Sequence, residues 1–262
     1  MEVMKILTDY YGSYDEDNRL RSRHGSVEFL TTMRYAEKYL RPGMRILEIG
    51  AATGRYSHAL ARQGYRVDAV ELVQHNIDVF KANTLPGEDV RIFQGNAKNL
   101  DMLADNTYDI TLLLGPMYHL FTIPEQLQAL SEAIRVTKKG GVIFAAYCGN
   151  EATMIQYCFG RGMIKQQRYR DLIDPVTFKA SSDPAELFEL YRKEDIDKLL
   201  AVFPVTRLHY VGTDMATNYI RQTIDEMDEE LFDLYLRYHF TICERSDLVG
   251  ASHHIMDIFR KD

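Results

Sequence analysis

The chain has 262 residues, a formal net charge of −7 and three cysteines. This length allows one large α/β domain, or one domain with a small accessory part, that needs no metal ion or disulfide to stabilise it. The acidic balance argues against a nucleic-acid substrate, because phosphate contacts need clustered Lys and Arg. The odd cysteine count, a polar N-terminus and the lack of a membrane-spanning apolar run favour a reduced, cytoplasmic protein that contacts no membrane.

The predicted elements begin with a polar and aromatic leader over residues 1–24, which contains Tyr10, Tyr11 and Tyr14. This leader is either a frayed, solvated segment or a segment that folds over a ligand. A helix is predicted over 26–40, and the Arg-Pro-Gly sequence that follows it ends the helix.

Strands and helices alternate from residue 45 onward. Strands are predicted over 45–49, 66–70, 90–93, 108–114, 142–147, 205–211 and 254–259. Helices are predicted over 55–63, 74–82, 125–136, 187–190 with 196–202, 215–227 and 229–243. This alternation implies parallel strands that are joined by right-handed crossovers, which is a doubly wound α/β sheet.

A small-residue turn follows the first strand. Residues 50–54 read Gly-Ala-Ala-Thr-Gly, and a strand, a tight turn and a helix start together aim backbone N–H groups at a bound ligand. Small residues are needed there because a side chain would keep the ligand away from the backbone. The turn alone also fits an ordinary tight connection between a strand and a helix. The residues at the other strand ends must therefore distinguish a ligand-binding turn from such a connection.

Ligands bind outside the C-terminal ends of parallel strands. Glu71 ends the second strand and can accept hydrogen bonds from both hydroxyls of a ribose, unless it is a solvated surface residue. Asn96 and Ala97 end the third strand and offer an acceptor and an N–H to an adenine ring, or form an ordinary turn. His119 follows the fourth strand and is either a catalytic or substrate-contacting residue or a structural loop histidine.

The stretch from about 44 to 147 resembles the class I S-adenosylmethionine-dependent methyltransferases. Five motifs in the family's order carry the resemblance: Ile46 to Gly54, Glu71, Asn96-Ala97, Tyr108 to His119 and Ala133 to Gly141. Ala52 stands where the middle glycine of the first motif usually lies, and we expect it to keep an ordinary backbone angle. Asn96 replaces the usual aspartate but retains an acceptor oxygen.

The resemblance implies a seven-stranded, mostly parallel Rossmann-like sheet whose last strand is antiparallel. It implies methyl transfer by direct displacement, with S-adenosylmethionine as donor and S-adenosylhomocysteine (SAH) as product. The implied cofactor contacts are Glu48, Gly50, Ala52, Thr53, Gly54, Glu71, Leu72, Asn96, Ala97, Leu114 and Gly115. Tyr118 and His119 are the catalytic candidates, and no metal is expected because no metal-ligand cluster is evident.

The second half of the chain predicts a cap. Insertions at about 148–183 and 213–252 begin at C-terminal strand ends, so we expect them to cover the cleft of a catalytic domain at 44–262. The N-terminal lid segment and helix, 1–43, would complete the cover. The candidate substrate contacts are Tyr11, Tyr14, Tyr147 and His239, and further candidate lining residues are Tyr157, Arg168, Tyr235 and Tyr238. Each aromatic residue has core packing of the cap as its alternative role.

The cap and the acidic surface favour a small-molecule methyl acceptor. We expect the chain to be a monomer or homodimer. A methyltransferase that acts on RNA or protein would need a basic rim around the cleft. A non-catalytic S-adenosylmethionine-binding protein would lack an open path to the methyl group. A dinucleotide-dependent oxidoreductase is disfavoured because residues 50–54 lack the full Gly-x-Gly-x-x-Gly spacing.

Overall fold

The computed structural model describes residues 2–13, 19–20 and 22–262. The α-helices are α1 (Glu2–Ser13), α2 (Arg23–Tyr39), α3 (Arg55–Arg62), α4 (Gln74–Asn83), α5 (Ile123–Val136), α6 (Asn150–Thr153), α7 (Gln167–Arg170), α8 (Lys193–Leu200), α9 (Arg221–Asp225) and α10 (Glu229–Ile242). The strands are β1 (Arg45–Ile49), β2 (Arg66–Glu71), β3 (Val90–Gln94), β4 (Tyr108–Leu113), β5 (Thr137–Gly149), β6 (Leu190–Tyr191), β7 (Val205–Gly212) and β8 (His254–Lys261). In the part of the chain so described, no helix combines the length and the apolar character that crossing a membrane requires.

The strands form one sheet in the order β3-β2-β1-β4-β5-β8-β7. Strands β1 to β5 pair in parallel, whereas β8 is antiparallel to both of its neighbours. The predicted doubly wound, Rossmann-like fold with an antiparallel last strand is therefore confirmed. Its consequence for function is that the carboxyl ends of β1, β2, β3 and β4 meet at one edge of the sheet.

The two faces of the sheet carry separate hydrophobic cores. Leu47 and Ile49 of β1 pack into the core on one face. Ile46, one residue before Leu47, packs into the core on the other face with Ile110 of β4. Because side chains of a strand alternate between faces, helices must cover both sides, and the continuous apolar runs of the central strands follow from that.

The region after residue 183 differs from the prediction of a continuing helix. Residues Pro184–Glu186 form one 3₁₀ turn, which Asp183 caps by accepting a hydrogen bond from the Ala185 N–H at 2.8 Å. Leu187 then takes a positive φ of 72°, which ends the turn. The chain continues into β6, which pairs with β5 at Cys148 and Gly149 and adds an eighth strand.

Two further segments depart from expectation. The leader is helical over α1, where Leu7 is buried, so the prediction of a frayed, solvated segment is wrong for that part. Residues 215–227 do not form one helix, because a 3₁₀ segment over Met215–Ile220 precedes α9. Met215 opens that segment with a positive φ of 41°, which an α-helix does not contain.

Candidate active site

A cavity of about 410 Å³ opens at the carboxyl ends of β1 to β4. Its walls contain every predicted cofactor residue except Gly54, together with both catalytic candidates: Glu48, Gly50, Ala52, Thr53, Glu71, Leu72, Asn96, Ala97, Leu114, Gly115, Tyr118 and His119. The structure therefore brings together residues from five separate stretches of the sequence. We call this space the cofactor cavity.

Gly50 and Gly54 are required by packing within the protein. Both have a positive φ, 79° and 91°. A Cβ on Gly50 would lie 2.6 Å from Cδ of Pro116, and one on Gly54 would lie 2.5 Å from Cδ2 of Phe80. Gly54 does not line the cofactor cavity but makes room for α3 and α4 behind the turn, and its contact with a cofactor stays a prediction.

Ala52 does not keep an ordinary backbone angle, and that expectation is wrong. Its φ is 46°, in the left-handed region that disfavours a residue with a Cβ. This conformation points the Ala52 N–H at Oε2 of Glu71, 2.8 Å away. The hydrogen bond fastens the turn after β1 to the end of β2.

Glu71 is a buried carboxylate at the end of β2, not a solvated surface residue. Its Oε2 accepts from Ala52, and its Oε1 accepts from the Val73 N–H at 2.8 Å. Burial raises the pKa of this carboxyl even though these N–H groups oppose the shift. Each oxygen keeps a lone pair for a further donor.

Asn76 was not predicted as a site residue. It lines the cofactor cavity from the first turn of α4, and its Nδ2 lies 3.5 Å from Oε1 of Glu71. Its Oδ1 is buried and has no hydrogen-bond partner in the described chain. A buried acceptor of this kind is costly unless a donor reaches it. The signal in the sequence was an asparagine placed five residues after Glu71.

Glu48 lies at the other side of the turn, in the middle of β1, and is buried. Its Oε2 accepts from the Ser57 N–H at 2.9 Å and from the Ser57 hydroxyl. Burial raises the pKa of Glu48 to about 8, despite the opposing hydrogen bonds from Ser57. The carboxyl is therefore mostly protonated at neutral pH, and a cation in the cavity would favour its ionised form.

Asn96 and Ala97 line the cofactor cavity where β3 ends. The Oδ1 of Asn96 accepts from the Lys98 N–H at 3.0 Å, and its carbonyl accepts from the Asn99 N–H at 2.8 Å. The geometry of an asparagine-initiated turn is thus present. This turn holds the Asn96 side chain at the cavity wall.

His119 follows β4 in a 3₁₀ segment and is held at both ring nitrogens. Nδ1 lies 2.9 Å from the carbonyl of Leu187, so Nδ1 must donate. Nε2 lies 2.8 Å from the Tyr11 hydroxyl and is therefore the acceptor. Burial lowers the pKa of His119 to about 4, with the Leu187 carbonyl opposing the shift. The imidazole is neutral at pH 7 and presents one basic nitrogen.

Tyr118 and Phe188 complete an aromatic wall beside His119. The ring centroids of Tyr118 and Phe188 lie 4.9 Å and 5.3 Å from that of His119. Burial raises the pKa of the Tyr118 phenol well above its ordinary value. Tyr118 is consequently a neutral hydrogen-bonding group at pH 7.

A second cavity of about 450 Å³, which we call the acceptor cavity, adjoins the first. The two share Tyr11, Arg19, Glu28, Tyr118 and His254 as wall residues. The acceptor cavity is otherwise lined by residues from the N-terminal segment, from the stretch before β6, from both insertions and from the start of β8: Tyr10, Ser22, His24, Gly25, Tyr157, Phe188, Asp214, Asn218, Arg221 and His253.

A row of alternating charges forms the floor between the cavities. Arg19 donates to Glu28 at 2.8 Å, and His254 Nδ1 lies 3.3 Å from Glu28 and 2.7 Å from Asp214. Burial alone would lower the pKa of His254, but the two carboxylates hold it well above its usual value. Asp214, whose own pKa is lowered chiefly by His254, also accepts from Ser252 at 2.7 Å. The row is therefore electrically balanced.

Asp214, His253 and His254 place their donor atoms within 4.8 Å of one another, a spacing that a metal ion can use. Both oxygens of Asp214 already accept hydrogen bonds, from His254 Nδ1 at 2.7 Å and from Ser252 Oγ at 2.7 Å. The hydrogen bonds that Asp214 accepts account for the close spacing of these three side chains.

Two predicted substrate contacts lie elsewhere, and Tyr14 lies outside the described residues. Tyr147 is buried against Tyr191, with ring centroids 4.9 Å apart, while its neighbour Ala146 faces the cofactor cavity. The alternation of side chains along β5 thus turns Tyr147 to the opposite face. His239 is buried, and its Nε2 pairs with the Thr31 hydroxyl at 2.8 Å. Tyr147 and His239 therefore line neither cavity. Among the further candidates, Tyr157 lines the acceptor cavity. The other three, Arg168, Tyr235 and Tyr238, line neither cavity.

Residues 46–141 match the family model described as a methyltransferase domain. The chain is 24% identical over 231 residues to a ubiquinone biosynthesis O-methyltransferase of Pseudomonas entomophila, a match that covers 86% of this chain and 97% of the relative. It is 33% identical over 146 residues to a demethylmenaquinone methyltransferase of Renibacterium salmoninarum, which covers 55% of this chain and 58% of the relative.

Solved structures share the fold over almost the whole chain. The magnesium protoporphyrin IX methyltransferase of Synechocystis PCC 6803, solved with bound SAH, superimposes with a TM-score of 0.61 at 11% identity, over 99% of this chain and 100% of that one. The CcbJ methyltransferase of Streptomyces caelestis superimposes with a TM-score of 0.59 at 15% identity, over 97% and 96% of the two chains.

The sheet order, the motif residues around one cavity and these similarities define the class of protein. Residues 46–141 carry a methyltransferase domain, and the relatives and the shared fold support a class I S-adenosylmethionine-dependent methyltransferase. The chain is a methyl-transferring enzyme whose matched methyltransferase domain, residues 46–141, contributes most of the cofactor cavity.

Proposed function

We propose that this enzyme transfers the methyl group of S-adenosylmethionine to a small molecule held in the acceptor cavity. The observation that carries the proposal is the pair of adjoining cavities, one lined by the family motifs and one walled by the insertions and the N-terminal segment. A separate, walled space of about 450 Å³ suits a metabolite. The names of the quinone-pathway relatives, which specify small acceptors, support the same assignment.

The residues around the cofactor cavity fit S-adenosylmethionine. Glu71 would accept hydrogen bonds from the ribose hydroxyls, and a hydroxyl there also supplies the donor that the buried Oδ1 of Asn76 lacks. Asn96 and Ala97 would border the adenine. Glu48 would face the methionine end, where a cationic amino group favours its ionised form.

The chemistry proposed for His119 follows from its fixed tautomer. The bound cofactor supplies an electrophilic methyl group on a sulfonium, and an O–H, N–H or S–H acceptor must lose a proton when the new bond to carbon forms. His119 holds its own proton at Nδ1 against Leu187, so Nε2 receives the proton of the acceptor. The acceptor group would replace the Tyr11 hydroxyl, which occupies Nε2 in this structure.

We also propose that the segment 1–43 and the insertions at 148–183 and 213–252 act as a cap on a catalytic domain at 44–262. Support comes from the walls of the acceptor cavity, to which Tyr11, Tyr157 and Arg221 belong. Limited proteolysis with and without SAH tests this. Cleavage within 1–24 or 148–183 should slow when SAH is bound, and equal rates would contradict the cap.

Transfer of isotope-labelled methyl from S-adenosylmethionine to a pool of small metabolites tests the proposed function. His119→Asn should lower turnover about 10²- to 10⁴-fold with little change in SAH affinity. His75→Asn, at an exposed position of α4, is the matched control and should leave turnover unchanged. Turnover in His119→Asn equal to that of the unmodified enzyme would refute the role of His119.

A further inference from the structure

Arg221 is a cation on the wall of the acceptor cavity that pairs with no carboxylate of the described residues. Its Nε donates to Asn218 Oδ1 at 2.6 Å, and its Nη2 lies 3.5 Å from the Tyr157 hydroxyl. Both of these partners are uncharged. The remaining guanidinium N–H groups have no acceptor among the described residues.

Other charged side chains on this wall have partners of opposite charge among the described residues. Arg19 pairs with Glu28, and His254 pairs with Asp214. Arg221 differs from them because no described carboxylate forms an ion pair with its guanidinium. A partly buried cation of this kind favours an anionic ligand.

A second polar group on the same wall is also without a partner. Nδ1 of His253 is buried and makes no hydrogen bond within the described chain. His253 lines the acceptor cavity and lies beside Tyr157, with ring centroids 5.8 Å apart. A buried imidazole nitrogen without a partner costs free energy, which Nδ1–H would recover by donating a hydrogen bond to a ligand oxygen.

We infer that Arg221 and His253 form an anion-binding subsite that holds a carboxylate of the methyl acceptor. This inference rests on the proposed function, because it takes the acceptor cavity to be the site of the acceptor. Arg221 and His253 line only the acceptor cavity, whereas His119 and Gly115 line only the cofactor cavity. The carboxylate therefore marks the end of the acceptor that is remote from the methylated atom.

The walls between these two ends are aromatic. Tyr118 and Phe188, with ring centroids 5.8 Å apart, lie on the His119 side, and Tyr157 lies on the Arg221 side. Aromatic walls favour a flat ring, since stacked and edge-on ring pairs are stabilising. An aromatic carboxylic acid with an O–H, N–H or S–H group at the opposite end of the ring satisfies three features: the Arg221–His253 subsite, the aromatic walls and the proton-accepting Nε2 of His119. Phenolic acids represent this class in the test.

Calorimetric titration tests the subsite without requiring turnover. The probes are two matched pairs, 3,4-dihydroxybenzoate with 3,4-dihydroxybenzyl alcohol, and 4-hydroxycinnamate with 4-hydroxycinnamyl alcohol, each titrated into the full chain at saturating SAH. Each acid should bind at least tenfold more tightly than its alcohol. Arg221→Met should weaken binding of the acids about tenfold to a hundredfold, the range for hydrogen bonds to a charged group, and should leave the alcohols unchanged.

Arg161→Met is the matched control, because Arg161 stacks on Tyr157 with its Cζ 4.6 Å from the ring centroid but lines neither cavity. It should leave binding of the acids unchanged. Arg221→Lys, which keeps the charge, should retain part of the affinity and guards against a variant that fails to fold.

Acids that bind no more tightly than the alcohols, or that do not bind, would overturn the subsite, as would an Arg221→Met variant with unchanged affinity. Failure of the proposed function would appear separately, as absence of SAH binding in the same titrations. Arg221-dependent binding of the acids by a chain that does not bind SAH would uphold the subsite and remove the cofactor assignment.

Discussion

The left-handed conformation of Ala52 predicts the direction in which Ala52→Gly changes the stability of the fold. A residue with a Cβ pays about 1–2 kcal/mol in this region of backbone space, and glycine does not. Glycine instead loses more chain entropy on folding, about 0.5–1 kcal/mol. The substitution should therefore stabilise the fold by roughly 0.5–1 kcal/mol, because the relief of strain exceeds the entropy cost. The N–H that Glu71 accepts is kept, so SAH affinity should not fall.

Ala51→Gly is the matched control, one residue away. Ala51 has no positive φ and is buried against Phe80, so glycine there loses both chain entropy and a buried methyl. These losses amount to about 1–2 kcal/mol of destabilisation. The two glycine variants should thus shift stability in opposite directions.

Differential scanning calorimetry and urea unfolding measure both variants. A change of 1 kcal/mol moves the Tm of a chain of this size by roughly 2–4 °C. Ala52→Gly should melt a few degrees above the unmodified protein, and Ala51→Gly a few degrees below it. A lower Tm for Ala52→Gly, equal to that of Ala51→Gly, would refute the assignment of strain to Ala52.

Three other substitutions and conditions have expected outcomes. Gly54→Ala should lower stability by about 2–5 kcal/mol in urea unfolding, because its Cβ would meet Phe80 at 2.5 Å and its φ is 91°; an unchanged midpoint would contradict this packing. Acidification from pH 6.5 toward pH 4 should destabilise the fold. Burial lowers the pKa values of His119, His239 and His253 to about 4, so in this pH range the unfolded chain binds more protons than the folded chain. Constant urea midpoints between pH 6.5 and 5 would count against those shifts. Burial places the pKa of Glu48 in the folded chain, about 8, above its value in the unfolded chain, so stability should decline as the pH rises toward about 8. Glu48→Gln should abolish this decline. A decline of the same size in the variant would place its origin elsewhere.

The sequence predicted the sheet and most of the cofactor cavity because both depend on local patterns in a fixed order. Gly50, Glu71 and Asn96 each follow a strand, and parallel strands bring their carboxyl ends to one edge. The direction of those side chains needed no information from distant segments.

Side-chain direction in strands buried on both faces was not predictable. Ala146 faces the cofactor cavity and Tyr147 faces the opposite core, but an apolar strand that is covered on both sides gives no signal for which residue takes which face. Tyr147, which was predicted as a substrate contact, is turned away from both cavities for this reason.

Long-range pairing was also invisible in the sequence. The tautomer of His119 depends on the Leu187 carbonyl, 68 residues away along the chain. The lack of a described carboxylate partner for Arg221 depends on which carboxylates pair with other cations in the fold. Neither relation has a sequence period or a fixed spacing.

Calorimetric measurement of thermal stability with SAH and with NAD tests the central claim most directly. A ligand at a hundredfold excess over its Kd stabilises the fold by about 2.7 kcal/mol, which corresponds to a rise of several degrees in Tm. SAH should produce this rise, Glu71→Gln should diminish it, and NAD should produce none. Stabilisation by NAD with no effect of SAH would contradict the assignment of the cofactor cavity.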